Sequence, residues 1–257
     1  MNEMIEKSYA KVNIFLKISN KREQYHELVS RFVRVHSLYD IVSFVKTSRK
    51  AFDIIGDFGC NLESNTVYKA YKLLEDYPIV KNFFENYSVK IEKNIPEFAG
   101  LGGGSSNAAT FLIMVNKYCN LNLSKDELCQ MAVKIGADVP FFVYEYDSAN
   151  VTGIGEIVEK FDEEILDINT ITPKIKCNTG EIFKNFRENF YKQISEKDAV
   201  ELLKIKSIEI LKKFHIKEAN DLYEPALNLY PQLSEYEKDN WFFSGSGSSF
   251  FKVNNVE

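Results

Sequence analysis

Four of the chain's 12 glycines fall between Gly100 and Gly104, in the run Pro96-Glu97-Phe98-Ala99-Gly100-Leu101-Gly102-Gly103-Gly104-Ser105-Ser106. That density has a chemical meaning. Glycines let consecutive backbone N–H groups converge on one point, and a following helix adds its unpaired N–H groups and the positive end of its dipole. Ser105 and Ser106 add hydroxyls that can donate to phosphate or ligate a phosphate-bound metal. The run suits a phosphate cradle; it also suits a tight strand-to-helix turn that holds no ligand. It matches neither common phosphate loop. A P-loop would end in Gly-Lys-Ser/Thr, where this chain has Ser-Ser-Asn, and the dinucleotide fingerprint would need glycine at position 105. There is no His-Arg-Asp protein-kinase loop either.

Two further residues have the right chemistry for acid–base work. Asp138, in Gly136-Ala137-Asp138-Val139-Pro140, follows a helix end and suits either a turn former or a proton acceptor held in a rigid setting. Lys11 shares a strand face with Asn13, which reads either as a solvated surface or as a polar face turned to a cleft. The remaining candidates carry less. His26 has no second histidine four residues on, so HExxH is excluded, and His36 and His215 stand alone. The four cysteines (Cys60, Cys119, Cys129, Cys177) form no CxxC pair, so no zinc-ligand spacing exists and reduced thiols are expected.

The elements that would position these groups follow from periodicity. Ala10, Val12, Ile14, Leu16 and Ile18 alternate with Lys11, Asn13, Phe15 and Lys17, which predicts a half-buried strand over 8–18. A β-rich stretch over 28–45 is predicted to break at Tyr39-Asp40, and a helix to start at Asn65 and stop before Pro78. A short strand over 89–91 precedes the glycine run. Ala108, Phe111, Leu112, Val115 and Tyr118 place a helix after it. Ser124 and Glu127 form a capping box for a second helix that Gly136 ends. Strands are predicted at 139–143 and 172–176, with lysine-rich helices beyond. Phe242 to Phe251 is interrupted by Ser244-Gly245-Ser246-Gly247-Ser248. The turn Gly153-Ile154-Gly155 and the acidic segment 159–167 suggest a domain change near residue 155. Strands alternate with helices throughout, so the class is mixed α and β.

The 257 residues fit one large domain or two ordinary ones, with room for a core that needs no disulfide or structural metal. Thirty-two basic residues against 37 acidic ones leave a net charge of −5, without the positive field that draws a protein to nucleic acid or anionic membrane. No apolar run approaches a bilayer-spanning length, and the N-terminus lacks the pattern of a secretory signal. A cytoplasmic location is expected.

In order along nearly the whole chain, these segments resemble the GHMP family of small-molecule kinases. Ala10-Lys11-Val12-Asn13-Ile14-Phe15-Leu16 looks like the family's first motif, Pro96 to Thr110 like its second and Ser244 to Ser248 like its third. Tyr25-His26-Glu27-Leu28 and Gly136-Ala137-Asp138-Val139-Pro140-Phe141-Phe142 narrow the likeness to members whose alcohol substrate carries cytidine diphosphate, 4-diphosphocytidyl-2-C-methyl-D-erythritol. The resemblance implies a two-domain fold: an N-terminal ribosomal-protein-like α/β domain that binds ATP (1–155) and a C-terminal ferredoxin-like α+β domain (156–257). It implies Asp138 as proton acceptor with Lys11 beside it, and Mg²⁺ with the ATP. For ATP it implies Asn65, Thr66, Lys93, Pro96, Gly100, Leu101, Gly102, Gly103, Gly104, Ser105 and Ser106. For the cytidine substrate it implies Asn13, Tyr25, His26, Thr179 and Phe183, with the rings of Tyr25 and Phe183 around the base. Gln24 and Gly180 depart from the family pattern. A monomer or weak homodimer is expected, with small molecules as its only other partners.

Two other readings stand beside this one. Another GHMP kinase would act on mevalonate, homoserine or a sugar, but those substrates offer no base for Tyr25 and Phe183 to stack on. A nucleotide-binding regulator or ribosome-associated module would have no need of both Lys11 and Asp138, and the net charge disfavours it.

Overall fold

The longest elements are the paired strands β1 (Ile5–Arg22) and β2 (Tyr25–Lys46). The computed structural model describes residues 4–22 and 25–254, with the backbone alone for 21, 22, 25 and 26. β1 extends beyond the alternating segment, and it is not half-buried. Ala10, Val12 and Ile14 are buried on one face, but Lys11, Asn13 and Phe15 on the other are 3 %, 2 % and 0 % exposed. Nor does β2 break at Tyr39-Asp40. It continues because the Asp40 carboxylate, fully buried, accepts from the backbone N–H groups of Asn94 (2.7 Å) and Ile95 (2.8 Å) and from Asn107 Nδ2 (2.9 Å), and pairs with Lys93.

The chain gathers into two compact units, each built from separated segments. One comprises Met1–Ala10, Leu38–Glu97 and Gly103–Glu145; the other comprises Lys11–Ser37, Phe98–Gly102 and Tyr146–Glu257. In the first, β3 (Ile54–Ile55) runs parallel to β4 (Tyr87–Glu92), which pairs antiparallel with residues 41–46 of β2. The helices are α1 (Thr66–Lys72), α2 (Pro78–Phe84), α3 (Gly103–Tyr118), α4 (Lys125–Ile135) and α5 (Val139–Tyr144). Pro78 begins α2, where its missing N–H costs nothing. α3 packs on α1, α4 and α5, burying Ala108, Phe111, Leu112, Met114 and Val115. The rings of Phe44, Phe84 and Phe111 meet at 5.5 to 6.1 Å, and each buried aromatic contributes about 1.5–3 kcal/mol. The capping box of α4 forms as expected, Glu127 N donating to Ser124 Oγ and Ser124 N to Glu127 Oε2.

α5 corrects the strand predicted at 139–143. A short wholly apolar run carries no period that separates strand from helix. Pro140 in the first helical turn is compatible with helix, and the segment is buried against α4 and α3.

In the second unit, residues 28–33 of β2 pair with β5 (Ser148–Gly153), which pairs with β6 (Ile157–Lys160). A separate antiparallel sheet has the order β7 (Ile168–Ile171), β9 (Phe250–Val253), β8 (Phe242–Phe243). The strand predicted at 172–176 is β7, four residues earlier. Its register with β9 is set by Ile171 against Phe250, and the chain past it leaves the ladder. The helices are α6 (Thr179–Asn185), α7 (Glu196–Leu202), α8 (Ser207–Lys213), α9 (Ile216–Ala219) and α10 (Tyr223–Leu229). Phe186, Tyr223, Phe243 and Phe250 are buried, the Tyr223 ring 5.0 Å from that of Phe243 and 6.1 Å from that of Phe250. Among the described residues no helix is long and apolar enough to cross a membrane, and the four cysteines are free.

Candidate active site

The second unit brings Lys11 and Asn13 against both of its glycine loops. Lys11 Nζ donates to Asn13 Oδ1 (2.6 Å) and to the Gly100 carbonyl (3.2 Å), and lies 4.5 Å from the centroid of the Phe32 ring. Lys11 N donates to the Leu101 carbonyl (3.0 Å), which ties β1 to the loop's backbone. The Gly100 carbonyl also accepts from Ser244 Oγ (2.9 Å), and Ser249 N donates to the Ala99 carbonyl (3.1 Å). Residues 98–102 and 244–249 thus touch backbone to backbone. Gly100 is required there. Its φ is +74°, and a Cβ would sit 2.1 Å from the Ser244 carbonyl oxygen.

Asn220 holds the other side of the 244–249 loop, donating through Nδ2 to the carbonyls of Phe243 and Gly245, both at 2.9 Å. Thr179, at the start of α6, reaches the same loop, its hydroxyl 2.7 Å from that of Ser246. Phe183 lies one turn further along α6, on the face of Thr179, and is half-buried. Thr179 is therefore held beside the loop that packs on Gly100. Tyr25 and His26 belong to β2 by backbone; their side chains, and Gln24, lie outside the described residues.

The first unit assembles the other half of the glycine run around the start of α3. Gly103 is in tight quarters, since a Cβ would lie 2.9 Å from Ile95 Cγ2 and 3.5 Å from Lys93 Nζ. Lys93 is held in place by the Asp40 carboxylate and by Asn107 Oδ1 (3.0 Å). Asn107 in turn donates to Ser8 Oγ (2.9 Å), whose hydroxyl donates to Ser106 Oγ (2.8 Å). Ser106 is thereby turned inward at 1 % exposure, whereas Ser105 is half-buried and Gly104 exposed. Thr66 Oγ1 donates to the Gly104 carbonyl (2.6 Å), and Asn65 caps α1 by accepting from Val67 N (2.9 Å). Pro96 is exposed on the approach to the loop. The first turn of α3 has no acidic side chain. A helix start with exposed glycine backbone, a fixed ammonium and no nearby carboxylate on its first turn fits a phosphate group. Phe98 departs from ordinary backbone in this run. This residue of the second unit has φ +55° and is 54 % exposed, a costly conformation for a bulky side chain and of the kind that gathers at functional sites.

Asp138, in the first unit, is the residue just before α5 and is half-buried. Lys11 belongs to the second unit. Among the described residues no group of three or more His, Cys, Asp or Glu side chains could hold a metal ion.

The residue-type reading missed Asp40, Asn107, Ser8 and Ser30. Asp40 sits within an apolar strand and reads locally as a turn former; the signal available was a lone carboxylate in a run otherwise too apolar to stop there. Ser30 carried no local signal.

A model of the GHMP kinases N terminal domain matches residues 65–146. The chain is 50% identical, over its whole length and 99% of the relative's, to 4-diphosphocytidyl-2-C-methyl-D-erythritol kinase of Sulfurimonas denitrificans. Among solved structures it is similar to a 4-(cytidine 5'-diphospho)-2C-methyl-D-erythritol kinase, with 28% identity and a TM-score of 0.73 over 98% of this chain and 90% of that one. Methanococcus jannaschii mevalonate kinase shares the fold at 15% identity, with a TM-score of 0.62 over 99% and 91% of the two chains.

Proposed function

The chain belongs to the family of 4-diphosphocytidyl-2-C-methyl-D-erythritol kinases within the GHMP kinases, and from that premise we propose that it phosphorylates the 2-hydroxyl of that alcohol with ATP. The reaction yields ADP and the 2-phosphate, a step of non-mevalonate isoprenoid precursor synthesis. The observation that carries this reading is the 50% identity along the entire chain.

The chemistry divides among the residues as follows. Asp138 takes the proton of the substrate hydroxyl as its oxygen bonds to the γ-phosphorus and the bond to the β-phosphate oxygen breaks. A carboxylate in this role is worth about 10²–10⁴ in rate. Lys11 brings a positive charge to the transferring group, its ammonium oriented by Asn13 and the Gly100 carbonyl. Gly100, Leu101, Gly102, Gly103, Gly104, Ser105 and Ser106 cradle the ATP phosphates, with Lys93 held at the same helix start. Asn65, Thr66 and Pro96 border the nucleotide; the Thr66–Gly104 bond supports this. Bound together with ATP, Mg²⁺ would neutralise phosphate charge, and the Ser105 hydroxyl, half-buried beside exposed Gly104, is the loop's candidate to hold it.

Tyr25 and Phe183 stack on the cytosine, and His26 reads its edge. Asn13 and Thr179 complete the substrate side. Stacking accepts any base, so selection of cytosine falls to the hydrogen bonds. We assign the ATP-binding domain to 1–155, a span that contains the family match at 65–146, and the second domain to 156–257. We place the protein in the cytoplasm as a monomer or weak homodimer, in keeping with its free thiols.

The test is ADP release from Mg-ATP with the cytidine-diphospho-methylerythritol alcohol, set against mevalonate, homoserine and galactose. Turnover with the cytidine substrate alone is expected. Turnover with a control instead would keep the kinase and remove the cytidine pocket.

A further inference from the structure

We propose that Ser30 is a positioning residue for Lys11, acting through the side-chain amide of Asn13. This rests on the assignment of Lys11 to the reaction centre. Ser30 is fully buried on β2. Its hydroxyl donates to the Phe15 carbonyl (2.5 Å) and accepts from Asn13 Nδ2 (3.0 Å). A carbonyl can only accept, so the single hydroxyl proton is committed to Phe15 and the Ser30 oxygen can serve Asn13 only as an acceptor.

That commitment fixes a choice that shape alone leaves open. The oxygen and NH₂ ends of an asparagine are nearly the same size, and the hydrogen-bond network decides which way the amide points. With NH₂ drawn to Ser30, Oδ1 must face Lys11 Nζ, at 2.6 Å. The flipped amide would set donor against donor at that distance and leave a buried NH₂–ammonium conflict. Asn13 is 2 % exposed, so water does not readily take the place of Ser30. The backbone N–H of Asn13 faces Ser244 Oγ (3.4 Å), the hydroxyl that also donates to the Gly100 carbonyl. Ser30 thus sets the orientation of the amide in the Asn13–Lys11–Gly100 arrangement.

The test uses the full chain as Ser30→Ala and Ser30→Thr beside the wild type. Three readouts are needed: kcat and KM for both substrates, the pH dependence of kcat, and the thermal midpoint. Ser30→Ala is expected to lower kcat about tenfold or more, leave the KM for ATP within about twofold and move a limb of the pH profile. Ser30→Thr, which keeps the hydroxyl, should return kcat to within about threefold of wild type. A variant Ser30→Ala that loses thermal stability but keeps kcat and its pH profile would overturn the proposal, as would Ser30→Thr no faster than Ser30→Ala. One readout is independent of the assigned reaction: the ¹H–¹⁵N signal of the Lys11 ammonium, assigned through Lys11→Met. It should be visible in wild type and Ser30→Thr and broadened away in Ser30→Ala. That pattern in a protein that turns over none of the substrates would keep Ser30's role and fail the functional reading. An unchanged signal in Ser30→Ala would overturn the role itself.

Discussion

The second unit buries two cations on neighbouring strands, Lys11 on β1 at 3 % exposure and Arg31 on β2 at 0 %, and their surroundings differ in kind. Arg31 is clamped to parts of the fold far apart in sequence. It donates to Asn150 Oδ1 (2.6 Å), to the Leu203 carbonyl (2.9 Å) and to Ile205 O and Ser207 Oγ at 3.3 and 3.4 Å. Its guanidinium lies 3.3 Å from the Phe161 ring centroid and 3.8 Å from the Glu163 carboxylate. Burial pulls it down to about 10, partly offset by Glu163, so it stays charged at neutral pH. Glu163 is itself satisfied by the hydroxyls of Ser148 and Ser207, both at 2.6 Å. Lys11 instead faces the Gly100 carbonyl, the Phe32 ring and one amide that a serine orients. The contrast separates two uses of buried charge. Arg31 joins β2, β5 and the turn from α7 to α8 through a planar fork of donors, which is a structural use. Lys11 is a compact ammonium held by one side-chain amide and one carbonyl of the glycine run.

The comparison can be broken by substitution. The largest effect belongs to the clamp. Arg31→Met takes the cation away from the buried Glu163, which keeps only the neutral donors of Ser148 and Ser207, and removes the guanidinium donors to Asn150 Oδ1 and the Ile205 carbonyl. It is expected to cost about 3–5 kcal/mol of stability in denaturant unfolding, with kcat per folded molecule within about threefold of wild type. A stable but inactive Arg31→Met would place Arg31 at the reaction centre and erase the distinction. Lys11→Met should do the reverse, lowering kcat about 10²–10³-fold, the scale for one electrostatic stabiliser, while the unfolding midpoint barely moves. Unfolding of Lys11→Met at room temperature would mean that its charge is structural after all.

The smallest effect sharpens the contrast through a silent reporter. Cys177 is 3 % exposed, and burial raises its thiol to about 11, so a thiol reagent at pH 8 reaches it only when the unit opens. Cys60, exposed, should label first in every variant. Labelling of Cys177 should accelerate in Arg31→Met and stay at the wild-type rate in Lys11→Met. Equal rates in the two variants would contradict the division.

The chemistry-bearing motifs were largely legible because their signals are local. Glycine density located the loop, Ser124 and Glu127 located the cap of α4, and Asn65 the cap of α1. What stayed hidden depends on partners distant in sequence. Asp40 looked like a break in β2 because its donors lie at 94, 95 and 107 and at Lys93. Lys11 and Asn13 read as a half-solvated face because nothing in 8–18 says that residues 98–102 and 244–249 will cover them. Residues 139–143 gave the wrong element since a five-residue apolar run has no period to read. Ser30 is invisible for a related reason, its two partners lying on the neighbouring strand.

The central claim is that Asp138 accepts the proton of the substrate hydroxyl in a kinase reaction. The most direct measurement is kcat of Asp138→Asn with Mg-ATP and the cytidine-diphospho-methylerythritol alcohol, beside ATP affinity and thermal midpoint on the same preparation. Asparagine keeps the shape and cannot take the proton. A kcat lowered about 10²–10⁴-fold with ATP affinity and midpoint unchanged is the predicted result. A kcat within about threefold of wild type would contradict it and return Asp138 to the role of a helix-start residue.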